Sequence, residues 1–175
     1  MVPHSGLRSN RIDSVSLGCL GFGIIFEFHR QIKKDIINNN MTDEQIFAWI
    51  FLTIREQPTP LWGILLDADG INRAEPSLEE FQNSLGWLQA QGLIRKEGKE
   101  YSYTEAGAAI WELVRTKMKK KNISVQWDAI AEMFSQLPKV DFQPDEITEK
   151  EVAAARRAAH KFVREVLRKL DEVHH

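Results

Sequence analysis

The stretch Gly92-Leu-Ile-Arg-Lys-Glu-Gly-Lys-Glu-Tyr-Ser-Tyr-Thr-Glu-Ala-Gly107 carries three structural signals in sequence. Leu93–Lys96 and Tyr101–Tyr103 are short runs suited to strands. Between them, Glu97-Gly-Lys-Glu100 has Gly98 where a tight turn calls for a positive φ. Together these predict a β-hairpin. Gly92 stands where a helix would end and Thr104 where one would begin, so the hairpin joins two helices.

Upstream, Ser77-Leu-Glu-Glu80 forms a capping box that opens a helix to about Gln91, with Leu78, Phe81, Leu85 and Leu88 on its buried side. Before it, Pro60 starts a short helix over Leu61–Leu66 that Gly70 would close, and Ile71–Pro76 forms the connection. A first helix is predicted from Thr42, with Gln45 completing its capping box, to about Gln57 ahead of Pro58. Ile46, Phe47, Trp49, Ile50, Phe51, Leu52 and Ile54 cover more than one stripe of it, as in a helix buried on several sides. Downstream, Thr104 caps a helix through Ala108, Ile110, Trp111 and Val114. Asn122–Leu137 is predicted as a further helix, with Val125, Ile130, Met133, Phe134 and Leu137 as its apolar residues. The linker Pro138-Lys-Val-Asp-Phe-Gln-Pro144 follows. A long helix then opens at Thr148, with Glu151 as its capping-box partner, and runs to about Glu172.

The order over about residues 42–118 is helix, short helix, helix, two-stranded hairpin, helix. With the pattern G-L-I…Y-x-x-T-x-x-G, it resembles the winged helix-turn-helix proteins, specifically MarR- and PadR-type bacterial transcriptional regulators. The expected fold is mostly α, with a small two-stranded wing and additional C-terminal helices. The division is residues 41–121 as the winged-helix domain and 122–175 as a C-terminal helical region. The resemblance implies duplex DNA as partner, a helix over Ser77–Gln91 reading the major groove, and a wing at Arg95–Tyr103 along phosphates or the minor groove.

Charge is segregated along the chain. Residues 41–94 carry two basic and eight acidic residues, net −6, while residues 95–121 carry eight basic and four acidic, net +4. The Ser77–Gln91 helix turns Glu79, Asn83, Gly86, Trp87 and Ala90 away from its apolar stripe, with no lysine or arginine among them. Glu79 and Glu80 there would repel phosphate, although both suit a helix N-terminus. DNA contact would therefore fall to Arg73, Arg95, Lys96 and Lys99, helped by Lys117–Lys121, with Gln82 and Asn83 as base readers. Two alternatives stay open. One is a hairpin that is merely solvated; the other is a winged helix used for protein contact, with Trp87 as the contact residue. In the last helix Val152, Ala155, Ala159, Phe162, Val166 and Leu170 recur every three or four residues. This stripe either packs on its own domain or, as in PadR-like regulators, forms a homodimer, and the homodimer is slightly favoured.

Hydrophobic residues make up 43%, charged 27% and aromatic 9% of the 175 residues, the composition of an ordinary globular protein. The lone Cys19 excludes an internal disulfide and, with no zinc-like Cys/His spacing, predicts a cytoplasmic protein without a metal or cofactor. Asp67-Ala-Asp-Gly70 lacks the glycine position of an EF-hand loop. No phosphate loop or nucleophile–base pattern is present, and His160 sits among basic residues, so no catalytic role is expected. The apolar run Leu17–Phe26 is shorter than the roughly 20 residues a membrane span needs. Two readings of residues 1–40 stay open: a poorly structured extension, or an over-extended reading frame with Met41 as the start. Val173-His-His175 is either native or the remnant of a tag.

Overall fold

Asp43–Phe51 forms the first helix, α1, in a computed structural model that describes residues 41–119 and 121–173. The expectations for residues 1–40, Lys120, His174 and His175 lie outside the described residues. At the start of α1 the Gln45 amide donates to Thr42 Oγ1 (3.3 Å), and the Thr42 amide donates to Gln45 Oε1 (3.1 Å). The helix stops six residues before the predicted end. Thr53 Oγ1 donates to the Ile50 carbonyl at 2.6 Å, and the Ile54 amide donates to that of Phe51, which tightens the last turn. Pro58 and Pro60 then favour extended chain. Phe47 to Phe51 are all buried, as expected of a helix surrounded on several sides.

Thr59–Pro60 is a two-residue strand, β1, absent from the expected fold. Its length and its proline hide it from any periodicity. The second helix, α2, runs Leu61–Asn72 through Gly70, which lies inside it rather than closing it. Its end is Arg73, in the left-handed region at φ 53°. The third, α3, spans Leu78–Ala90 and has the predicted capping box: the Glu80 amide donates to Ser77 Oγ (3.2 Å), and the Ser77 amide to Glu80 Oε2 (2.6 Å).

The strands β2 (Ile94–Glu97) and β3 (Glu100–Tyr103) pair antiparallel, Ile94 with Tyr103 and Glu97 with Glu100, around Gly98 at φ 63°. Thr59 pairs with Tyr101 on the other edge, so the sheet has three strands in the order β1-β3-β2. The remaining helices are α4 (Glu105–Lys117), α5 (Ile123–Ser135) and α6 (Glu149–Val173). The described chain is therefore mostly helical with one small antiparallel sheet.

The decisive stretch folds through close backbone contacts. Gly92 at φ 67° ends α3: its amide donates to the Gln89 carbonyl and that of Leu93 to the Leu88 carbonyl, both at 2.9 Å, the paired bonds of a Schellman motif. Thr104 Oγ1 donates back to the Gly92 carbonyl at 2.6 Å. A Cβ at position 107 would stand 2.0 Å from the Leu93 carbonyl oxygen, so only glycine lets α4 start there.

Among the described residues one core joins α1 to the first turns of α6. Phe51 meets Tyr103 (ring centroids 4.7 Å) and Phe134 of α5 (5.4 Å), Trp49 lies 6.2 Å from Trp127, and Trp127 Nε1 donates to the Gln45 carbonyl at 2.6 Å. Val125, predicted on the apolar side of α5, is 37% exposed. The first half of α6 packs on its own chain: Val152, Ala155 and Ala159 are buried, and Phe162 lies 5.1 Å from Trp62 of α2. Val166 and Leu170 lie beyond that contact and are exposed.

Candidate functional site

The flank of α3 that carries Gln82, Gly86 and Gln89 is covered by residues 143–147 of the same chain, while Glu79 and Ala90, opposite Phe81, Leu85 and Leu88, are exposed. Gly86 shows how closely: a Cβ there would stand 2.1 Å from the Gln143 carbonyl oxygen. Gln82 sits one turn before it. Its carbonyl accepts from the Asp145 amide (2.9 Å), and its Nε2 donates to the Ile147 carbonyl (2.6 Å). Gln89, one turn after it, donates from Nε2 to Asp145 Oδ2 at 2.8 Å, and Gln91 Nε2 donates to the Pro138 carbonyl at 2.8 Å. Amide side chains suit this work, because a segment without secondary structure needs partners for its peptide groups.

Asp145 is the centre of the arrangement. Its side chain is 2% exposed, and Oδ1 accepts from Lys96 Nζ at 2.7 Å and from the Tyr101 hydroxyl at 3.2 Å. Burial, reinforced by the adjacent Asp145 carboxylate, pushes the Tyr101 hydroxyl pKa up. Tyr103, whose hydroxyl donates to the Phe51 carbonyl, is also pushed up, by burial. Both phenols stay protonated as donors.

The residues singled out in the sequence fall into different settings. Gln82 is engaged by the linker. Asn83 is half-buried and lines a cleft with Asp43, Glu44, Glu79, Glu80 and Lys139, a setting with four carboxylates that is hostile to phosphate. Trp87 is 8% exposed, stacked on Phe47 at 4.6 Å and against Phe134 at 5.1 Å, so its contacts are within this chain. In the hairpin Lys96 is paired with Asp145, Lys99 with Glu151 at the start of α6 (3.2 Å) and Arg95 with Glu97 (2.9 Å). Arg73 is exposed at the end of α2. Gln82, Lys96 and Lys99 thus converge on residues 145–151, whereas Arg95 pairs within its own strand.

Asp145, Gly86 and Gln89 were not among the expected site residues. The sequence did hold a signal, since Gln82, Gly86 and Gln89 share one helical stripe, two amide side chains around a position with no side chain. That is a seat for backbone. Unpaired cations lie elsewhere: among the described residues Lys117, Lys119 and Lys121 are exposed and have no ion-pair partner. Among the same residues no cluster of three or more His, Cys, Asp or Glu side chains could hold a metal, and no helix is long and apolar enough to cross a membrane. Compared with known proteins, the chain matches no family model, no curated protein and no solved structure.

Proposed function

We propose that this chain is a winged-helix protein that works by protein contact, with its own linker seated on the Gly86 flank of the helix that DNA-binding members would insert into the major groove. The helix and strand order and the sheet order β1-β3-β2 support the fold reading. The single observation that carries the functional reading is the 2.1 Å approach of the Gln143 carbonyl to the Cβ position of Gly86. A helix face in contact with another backbone has no room for a base edge. The pairing of Lys96 and Lys99 with Asp145 and Glu151 supports it further, because each cation already has an anion beside it. No catalytic role belongs to this reading, and a cytoplasmic location, resting on the lone Cys19, does.

A second reading is duplex DNA held electrostatically at Lys117–Lys121, favoured by the exposed cations there. In the deciding experiment the full chain is offered a mixed-sequence duplex pool at low and at moderate salt. The expected result is no retention at either. Retention that falls steeply with salt, and is lost when Lys117, Lys119 and Lys121 are changed to Glu, would replace the protein-contact reading with the second one. Retention lost on Lys96→Ala instead would restore the regulator reading, with the hairpin on the phosphates.

A further inference from the structure

Residues 160–172 are all exposed, and α6 continues for about 20 Å past its last buried residue, Ala159. Val163, Val166, Leu167 and Leu170, each 38–55% exposed, fall within about 100° of one another around the helix axis. They continue the line of Val152, Ala155 and Ala159, which the domain buries. The domain therefore stands on the same side of α6 as the overhanging stripe, and Trp62 of α2, 5.1 Å from Phe162, closes the inner end of the step between them. A flat surface such as a membrane cannot enter that step, whereas a narrow segment of chain can. An apolar stripe so placed is an unfinished interface.

The sequence holds a second apolar surface of matching size. Leu17-Gly-Cys-Leu-Gly-Phe-Gly-Ile-Ile-Phe26 contains no charge, and water disfavours it. As a helix it would be about 15 Å long, against roughly 10 Å from Val163 to Leu170. Residues 27–41 connect it to α1 and can span up to about 50 Å, more than the width of a compact domain of this size. On the same chain the run is present at an effective concentration on the order of millimolar, so even a contact too weak to hold a separate protein would form.

We propose that Leu17–Phe26 docks against Val163, Val166, Leu167 and Leu170 of its own chain, in the step between α6 and Trp62. Arg164 on one edge of the stripe and Lys169 on the other keep their charges in water at the rim of the contact. This goes beyond the protein-contact reading and does not depend on it. Where that reading holds, an incoming partner must displace the run before it can use α6.

Cys19 is the single cysteine and lies inside the run, so its reactivity reports on docking. The rate at which the full chain reacts with an aromatic disulfide reagent is measured at two protein concentrations tenfold apart. The parent is expected to react about tenfold more slowly than Leu167→Glu or Val163→Glu, which place a charge in the seat, and equally slowly at both concentrations. Both variants should keep the parent's helix content, because the two positions are exposed. Val125→Glu, at a comparably exposed apolar position on α5, should leave the rate unchanged. Reciprocally, Ile24→Asp should quicken amide exchange over residues 163–170. Equal rates in the parent and both α6 variants overturn the proposal. Protection that deepens with concentration assigns the stripe to a second copy and overturns it too. A rise with Val125→Glu as large as that with Leu167→Glu also overturns it, since the run would then lie elsewhere.

Discussion

Gly86 and Gly70 are both helical glycines, yet their surroundings predict opposite outcomes for the same substitution. At Gly86 an added methyl meets the Gln143 backbone, so Gly86→Ala must lift the linker from α3. The strain should outweigh alanine's helix preference and lower stability by about 2 kcal/mol, read as a lower denaturant midpoint. Gly70 has nothing within 4 Å of its Cβ position, so Gly70→Ala should raise stability by about 0.5–1 kcal/mol. Asp145→Ala removes the acceptor shared by Lys96, Tyr101 and Gln89. Its expected cost is about 2 kcal/mol, below that of a sealed ion pair because Lys96 is 31% exposed and regains water. Hydrogen exchange should then accelerate at the backbone amide of position 145, whose acceptor is the Gln82 carbonyl. At this scale the sequence was legible wherever the partner was close along the chain. The capping boxes at Thr42, Ser77 and Thr148 and the turn at Gly98 are contacts over a few residues. Lys96 read as a free cation because its anion lies 49 residues away.

Among the elements, α6 couples the C-terminal region to the hairpin through its first turn. The Thr148 amide and hydroxyl both donate to the Glu151 carboxylate, at 3.1 and 2.9 Å, and Lys99 reaches the same side chain. The Thr148 hydrogen bonds, aided by Lys99, hold the Glu151 pKa down at about 2, from 4.5. A carboxylate held below its unfolded value stabilises the folded state above pH 4.5, and that contribution fades as pH falls towards 2. The protection of amides in the first turn of α6, taken relative to their intrinsic exchange rates at each pH, should therefore fall on acidification across this window. Glu151→Ala should show fast exchange there at neutral pH already, with the part of the acid dependence that comes from this cap removed. Element boundaries were legible where a cap marks them and misplaced where tertiary context decides. Nothing in Gly70 distinguishes a helix interior from a helix end, and α2 stops only when Arg73 turns left-handed. The strand Thr59–Pro60 exists because β3 offers it an edge, a long-range fact that two residues cannot announce.

For the whole molecule, the boundary at residue 121 suggested by the resemblance separates side chains that share a core. Trp87 is closed over by Phe134 and, through Phe47, by Phe142, while Trp49 and Phe51 lean on Trp127 and Phe134. All the later partners belong to α5 or the linker. Periodicity in the sequence marks which residues are apolar, but the excess of apolar residues around α1 was compatible with a second copy as well as with a later part of the same chain. The structure gives α5 that place, at a sequence separation of 82 residues for the Trp127 bond to Gln45. A chain ending at residue 121 should therefore lose its fixed packing while keeping helix content: weak near-ultraviolet dichroism, dye binding to exposed apolar surface and a broad thermal transition are expected. A sharp transition close to that of the full chain would show that residues 41–121 fold alone. In that case α5 and the linker would be a detachable cover, and the contacts at Gly86 and Asp145 would bear on access to α3 more than on stability. Intermediate behaviour restored by adding residues 122–147 as a separate peptide would place the dividing line at the linker's grip on α3 rather than at the core.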